Sequence, residues 1–340
     1  MRKLLLVVLL LAVAAAGGAA IYWQRATAAM DAAGPQAEPV ELTVKPGATV
    51  RAVLAELESR GALADRRAVE IVLRVRGWPQ VKTGRYEILP HASPAEILRQ
   101  LQEGRVVLEA LTIVEGWTFA DMRRAIEAHA GIKSTLRGQD IAAVMTAIGH
   151  AGEHPEGRFY PDTYRFAAGT TDRELLTLAY RKMAEALDAA WAERAAGLPI
   201  ETAYEALTLA SIVEKETGLA AERPRISGVF VTRLRKGMRL QTDPTVIYGI
   251  GPSYDGNIRE RDLRTDTPYN TYTRAGLPPT PIALPSREAL IAATRPLETG
   301  DIFFVATGEG DGSHVFSATL EEHNAAVARY LARLRGGNRR

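Results

Sequence analysis

The chain has 340 residues, 46% of them hydrophobic and 24% charged, a composition that predicts a globular protein with one large domain or two smaller ones. Its formal net charge is +2, from 42 basic and 40 acidic residues, and only the short C-terminal tail is a basic run, which excludes nucleic acid as the main ligand. The absence of cysteine excludes disulfides, thiolate metal sites and cysteine nucleophiles.

The N-terminal segment predicts a membrane anchor at residues 4–23. This run contains no charged residue, and about twenty apolar residues in a helix span the ~30 Å hydrocarbon core of a bilayer. Two basic residues precede the run and a Tyr-Trp pair ends it, which favours a cytoplasmic N-terminus at residues 1–3 and an extracytoplasmic remainder. A cleaved signal peptide is the alternative, because Ala12-Val13-Ala14 and Ala14-Ala15-Ala16 resemble cleavage sites, although the apolar run continues past both.

A tether and a small module are predicted next. Residues 24–40 are rich in alanine, contain glycine and proline and lack an amphipathic period, which predicts a linker off the membrane. Residues 41–105 alternate between strand-like and helical segments. Strands are predicted at 41–44 and around 85–88, and helices from about residue 49, over 66–76, and from Pro94 to a stop at Gly104.

A larger mixed domain is predicted for residues 106–335, followed by a tail at 336–340. The predicted strands are 106–114, a buried run at 302–306, and 314–317, and the predicted helices lie near 120–130, 171–195, 202–217, 222–235 and 320–334. Residues 237–285 lack regular periodicity and contain seven prolines, which is typical of a long functional loop region. The predicted fold class is therefore α+β.

Several common active sites are excluded by inspection. The chain has no His-Glu-x-x-His, no Gly-x-Ser-x-Gly and no Ser followed by Lys three residues later. Its six histidines show no metal-ligand spacing, so no metal or other cofactor is expected.

One predicted helix ends with two acidic residues, Glu214 and Glu216. At about 100° per residue they lie roughly 200° apart, so at most one faces a given cleft. A helical projection places Glu216 among the bulky apolar residues Leu209, Ile212 and Val213. Burial and the negative end of the helix dipole would both raise the pKa of Glu216 toward that of a general acid. A salt bridge at a helix end is the alternative for this glutamate.

The N-terminal anchor and a set of short motifs together extend over most of the chain. The motifs are Val114-Glu115-Gly116, Phe159-Tyr160-Pro161-Asp162-Thr163-Tyr164, Ala210 to Thr217, Gly237 to Gly249, Tyr269-Asn270-Thr271-Tyr272, Gly276-Leu277-Pro278-Pro279 and His323-Asn324. With these motifs the sequence resembles the YceG-like family of endolytic peptidoglycan transglycosylases. The resemblance implies a LysM-like glycan-binding module at 41–105 and a YceG-like catalytic domain at 106–335, held outside the bacterial cytoplasmic (inner) membrane by one helix.

The family's chemistry needs one carboxyl group, which the resemblance assigns to Glu216. The reaction is cleavage of the MurNAc-GlcNAc β-1,4 bond inside nascent strands, and it leaves a 1,6-anhydromuramyl end. Glycan strands and the membrane are the implied partners, and peptidoglycan synthases are candidate partners. Polar side chains predicted to contact substrate are Glu214, Gln241, Asp243, Tyr269, Asn270 and Tyr272.

Two other classes of function stay open from the sequence. A non-catalytic peptidoglycan-binding scaffold of the division complex would need no acid in an apolar pocket. A hydrolytic muramidase would need a second carboxylate about 6.5 to 9.5 Å from Glu216 to activate water.

Overall fold

The computed structural model describes residues 2–337, so Met1 and the last three residues of the predicted tail lie outside the described residues. The described chain divides into two compact units. The first unit runs to Glu109 and includes Arg165–Thr170, and the second contains Ala110–Tyr164 and the described residues from Thr171 onward. Helices and short two-stranded sheets make up both units, which confirms the mixed α+β class.

The first unit packs four helices against one small sheet. Its elements are α1 (Arg2–Asp31), β1 (Val40–Val44), α2 (Val50–Ser59), α3 (Arg66–Arg76), β2 (Gly84–Ile88) and α4 (Pro94–Glu103). The strands β1 and β2 are antiparallel, with Leu42 opposite Tyr86, and both of these side chains are buried. A capping box of Ser93 and Glu96 begins α4, and Gly104 in a left-handed conformation ends it, as predicted.

The predicted linker at 24–40 needs correction. Helix α1 continues to Asp31, because Ala26 and Met30 are buried in the hydrophobic core of the first unit. The following residues are also fixed: the backbone N–H of Gly34 donates to the carbonyl of His91 at 3.1 Å, and the side-chain amide of Gln36 donates to the carbonyl of Leu89 at 3.0 Å. These contacts replace a flexible tether with an ordered connection. The segment Leu4–Asp31 of α1 is long and apolar enough to cross a membrane.

The second unit contains most of the helices. Its elements are α5 (Phe119–Ala128), α6 (Ile141–Ala147), α7 (Asp172–Ala192), α8 (Ala203–Glu216), α9 (Arg223–Arg235), α10 (Asp243–Ile250), α11 (Glu260–Arg264), α12 (Arg287–Thr294), β5 (Phe303–Ala306), β6 (His314–Ser317) and α13 (Leu320–Gly337). The remaining strands, β3 (Leu108–Thr112) and β4 (Thr163–Ala167), pair in a two-stranded sheet, and the division between the units runs through them. The strands β5 and β6 form an antiparallel hairpin with Phe304 opposite Phe316.

Three expectations for the second unit differ from the structure. The region 237–285 contains α10, a 3-10 turn at Gly251–Ser253 and α11, which are too short to give a clear period. Strand β5 is half-buried rather than fully buried. The elements α6, β4 and α12 were not predicted.

Candidate active site

Helix α8 forms the centre of the second unit. It begins with a capping box of Thr202 and Glu205, and it ends at Glu216. Every residue from Ala206 to Val213 is buried, so the helix is enclosed on all sides. The apolar stripe of the helical projection is therefore not the only buried face of this helix. Glu214 is also enclosed, with only 5% of its side chain exposed, and the two glutamates differ in their neighbours rather than in burial.

Glu216 has the electrostatic properties of a general acid. Burial is the main cause that raises the pKa of Glu216 to about 7, and the negative charge of Asp243 adds to this rise. The hydrogen bond from the Thr242 hydroxyl and the positive charge of Arg233 both act to lower the pKa. A carboxyl group with a pKa near 7 holds its proton in about half of the molecules at neutral pH. Some of its surface remains exposed, so a ligand can reach it. This carboxyl can give a proton and take one back.

Arg233 and a strained turn fix the position of Thr242. The buried guanidinium of Arg233 donates to the carbonyl of Leu240 at 2.6 Å and to the carbonyl of Ile302 at 2.7 Å. Gln241 follows with a φ of 51°, in the left-handed region that non-glycine residues rarely adopt. Such strain is common at functional sites, and here it directs the next residue, Thr242, toward Glu216.

Asp243 and Tyr272 lie beside the same carboxyl group. The Tyr272 hydroxyl donates to Oδ1 of Asp243 at 2.6 Å. Burial, this hydrogen bond and the negative charges of Asp243 and Glu216 all raise the pKa of Tyr272, so it remains a neutral donor. The structure thus brings together three predicted site residues, Glu216, Asp243 and Tyr272, and the exposed Gln241 precedes Thr242 in the same turn.

Glu214 has a structural environment. Its Oε1 accepts from Nη2 of Arg223 at 3.1 Å, and its Oε2 accepts from the backbone N–H of Ser286 at 2.9 Å and from the Ser286 hydroxyl. Ser286 in turn caps the N-terminus of α12. Glu214 therefore ties α8 to α9 and α12, and both of its oxygens are engaged within the protein.

Asn270 and Tyr269 also bond within the protein. The amide nitrogen of Asn270 donates to three carbonyls, the shortest bond being 2.7 Å to Thr265, and its oxygen accepts from the N–H of Tyr272 at 2.8 Å. The Tyr269 hydroxyl shares a hydrogen bond of 2.9 Å with Thr280. These two residues shape the loop that presents Tyr272.

The sequence profile of the YceG-like family matches residues 42–329. The chain belongs to the YceG-like family. The endolytic murein transglycosylase of Bacillus subtilis strain 168 is 28% identical to the YceG-like chain over 310 residues, covering 86% of this chain and 85% of the relative. The protein of the same name from Streptococcus pneumoniae strain D39 is 26% identical over 326 residues, and the match covers 86% of this chain but 58% of that relative.

A solved structure agrees with this assignment. The crystal structure of the yceG-like protein lmo1499 from Listeria monocytogenes matches with a TM-score of 0.53 and 28% sequence identity, covering 85% of the YceG-like chain and 99% of the other chain. The likeness supports a shared fold for most of the chain.

Sequence reasoning missed three buried features of the second unit of this YceG-like chain. Thr242 lies in the Gly237 to Gly249 motif, from which only its neighbours Gln241 and Asp243 were predicted to be site residues. Arg233 is buried, and the sequence gives no sign of this. Glu156, the third feature, has a pKa raised to about 7 by burial, and it accepts hydrogen bonds from Phe119 N–H at 2.9 Å and from the Tyr248 hydroxyl at 3.1 Å. Within the part of the chain that the structure describes, no group of three or more His, Asp or Glu side chains is arranged to hold a metal ion.

Proposed function

We propose that this YceG-like chain is an endolytic lytic transglycosylase. It is a lyase that cleaves the MurNAc-GlcNAc β-1,4 bond within nascent peptidoglycan strands, leaves 1,6-anhydromuramyl ends and so ends strand elongation. The observation that carries the proposal is the Glu216 carboxyl, whose pKa of about 7 and neutral Thr242 partner suit an acid that must also act as a base. The names of the curated relatives support the same reaction.

The proposed mechanism uses one carboxyl group for two proton transfers. Protonated Glu216 gives its proton to the glycosidic oxygen as the bond from C1 to that oxygen breaks, and an oxocarbenium-like centre develops at C1. The C6 hydroxyl of the same MurNAc then attacks C1, and its proton passes to the Glu216 carboxylate. The enzyme returns to its starting state, and no water is consumed.

Neighbouring groups stabilise the charges that develop during the reaction. The Thr242 hydrogen bond and the positive charge of Arg233 stabilise the carboxylate that forms after the first transfer. Asp243, exposed beside Glu216, is placed to favour the positive charge at C1, and Gln241 and Tyr272 are the proposed polar contacts to the sugars.

The proposed location is the outer side of the cytoplasmic membrane, with α1 as a single-pass anchor. Burial of Ala26 and Met30 in the first unit joins the C-terminal end of this helix to the folded module. A LysM-like module at 41–105 that binds glycan strands, and peptidoglycan synthases as protein partners, complete the proposal. Intact-mass analysis of membrane-extracted protein tests the anchor, and a mature start between Ala14 and Gln24 would contradict it.

One observation favours a hydrolytic muramidase as a second candidate. Asp243 lies near enough to Glu216 to raise its pKa, so a second carboxylate is present in the site. Mass spectrometry of muropeptides from digested sacculi separates the two reactions, because anhydro and reducing ends differ by one water. We expect anhydro ends. Reducing ends would establish the muramidase, and no new ends would establish a non-catalytic scaffold.

A further inference from the structure

Helix α1 enters the first unit without a flexible joint. Ala26 and Met30 share the core of that unit with residues of α3 and α4, and Trp23 packs against the same core. The last residue of the predicted membrane span is therefore already in contact with the folded module. The module is held at a fixed height above the bilayer that α1 is proposed to span.

Helix α3 runs back along α1 toward that bilayer. The end of α1 and the start of α3 line a common cavity, whose walls include Ala29, Ala32, Ala33, Asp65 and Val69. The two helices also pack against each other. At about 1.5 Å per residue, the seven residues that follow Val69 in α3 cover about 10 Å, as do the seven that precede Ala29 in α1. The C-terminal end of α3 thus approaches the level of Tyr22 and Trp23.

This end of α3 is exposed, basic and partly apolar. Arg74, Val75, Arg76 and Trp78 are all exposed, with exposed fractions of 69% for Val75 and 40% for Trp78. The guanidinium of Arg51 lies 5.4 Å from the Trp78 ring centre. These five residues are called the basic aromatic surface below.

The chain segment that carries most of this surface contains charges of one sign. The fifteen residues from Ile71 to Arg85 contain four basic residues and no acidic one. Glu70, just before them, forms ion pairs with Arg51 at 3.8 Å and with Arg66 at 3.4 Å, so its negative charge is compensated. Arginine, tryptophan and an exposed aliphatic side chain together match the polar and upper acyl layers of an anionic bilayer.

We propose that the basic aromatic surface docks on the anionic phospholipid headgroups of the membrane that α1 spans. This inference rests on the proposed role of α1 as an anchor. Lipid is favoured over glycan as the occupant because the surface faces the level of the Tyr22-Trp23 pair, where headgroups lie. Two attachments, one through α1 and one through the surface, set the tilt of the module, which one helix alone would leave free.

The absence of cysteine makes the test direct, because a single introduced cysteine carries the only label. The full chain is reconstituted in vesicles of phosphatidylcholine, with or without phosphatidylglycerol, and a spin label is placed at V75C or at L89C. Leu89 is the matched control, since it is 62% exposed and lies beside Gln36, beyond the C-terminal end of α1. Collisions of the label with oxygen and with a water-soluble nickel chelate report its depth.

In vesicles that contain phosphatidylglycerol, we expect the Val75 label to collide with oxygen more often than with the nickel chelate, while the Leu89 label stays exposed to water. Each basic residue near an anionic surface contributes about 1 kcal/mol, or about fivefold, so R74Q/R76Q should lower the ratio of docked to undocked label about 25-fold. High salt should act in the same direction.

Three results would overturn the proposal. In vesicles that carry the protein, the Val75 label could be as accessible to the nickel chelate as the Leu89 label, which would reject docking but leave the role of α1 as an anchor intact. The protein could fail to float with the vesicles, which rejects the anchor and the docking together. Purified sacculi, rather than vesicles, could shield the Val75 label, which would make the surface a glycan site.

Discussion

The hydrogen bond from Thr242 to Glu216 offers a specific test of the proposed acid, through the variant Thr242→Val. Valine keeps the shape of threonine and removes the donor. A hydrogen bond to a charged group contributes about 1.5 to 3 kcal/mol, and one pH unit corresponds to about 1.4 kcal/mol. Because this bond stabilises the carboxylate, its loss should raise the pKa of Glu216 from about 7 by roughly 1 to 2 pH units.

The assay is the pH profile of kcat/KM for release of anhydro-ended products. The free enzyme must hold its proton on Glu216, so activity should fall above pH 7 in the wild type and at a higher pH in the variant. Thr245→Val is the matched control, because the Thr245 hydroxyl is buried nearby but bonds to the Thr242 carbonyl and to Thr271. If the alkaline limb stays in place in Thr242→Val, or moves equally in the control, this hydrogen bond does not set the pKa of Glu216.

Three further predictions concern stability and the module. Glu216→Gln should raise the free energy of unfolding, measured with urea, by about 3 kcal/mol at pH 8 and change it little at pH 5. The reason is that the pKa of this carboxyl rises from 4.5 to about 7 on folding, so the group contributes stability below pH 4.5 that is lost as the pH passes 7. An equal effect at both pH values would contradict this prediction. Glu214→Gln should lower stability by about 3 to 5 kcal/mol, since it removes the negative charge that pairs with the buried Arg223, while the folded fraction keeps substantial activity. An unchanged unfolding midpoint would oppose the structural role. Deleting residues 41–105 should weaken sedimentation with insoluble peptidoglycan more than cleavage per bound strand, and the reverse would place the module in the catalytic site.

Local chemistry made the first unit predictable. The helix that begins at Pro94 depends on bonds between Ser93 and Glu96, three residues apart, and its stop depends on the conformation of Gly104 alone. Such signals need no knowledge of the rest of the chain. The exception, the tether, failed because burial of Ala26 and Met30 is decided by α3 and α4, which lie far along the sequence.

Long-range contacts set the site. The projection of α8 placed Glu216 among apolar residues, but it could not show that Glu214 would be enclosed by Arg223 and Ser286. Arg233 reads in the sequence as an ordinary basic residue near a helix end, and its burial follows from its contacts with the carbonyls of Leu240 and of Ile302, the residue before β5. Positions whose partners are distant in sequence leave no local period to detect.

Glu216 is the proposed acid and base of strand cleavage. The most direct measurement is the yield of anhydro-ended muropeptides from purified sacculi treated with the Glu216→Gln and Glu214→Gln variants, with thermal melting to show that each is folded. We expect a loss of about 10²- to 10⁴-fold for Glu216→Gln, because the amide keeps the shape and removes the transferable proton, and substantial activity for Glu214→Gln. A folded Glu216→Gln protein that yields anhydro ends at the wild-type rate would contradict it.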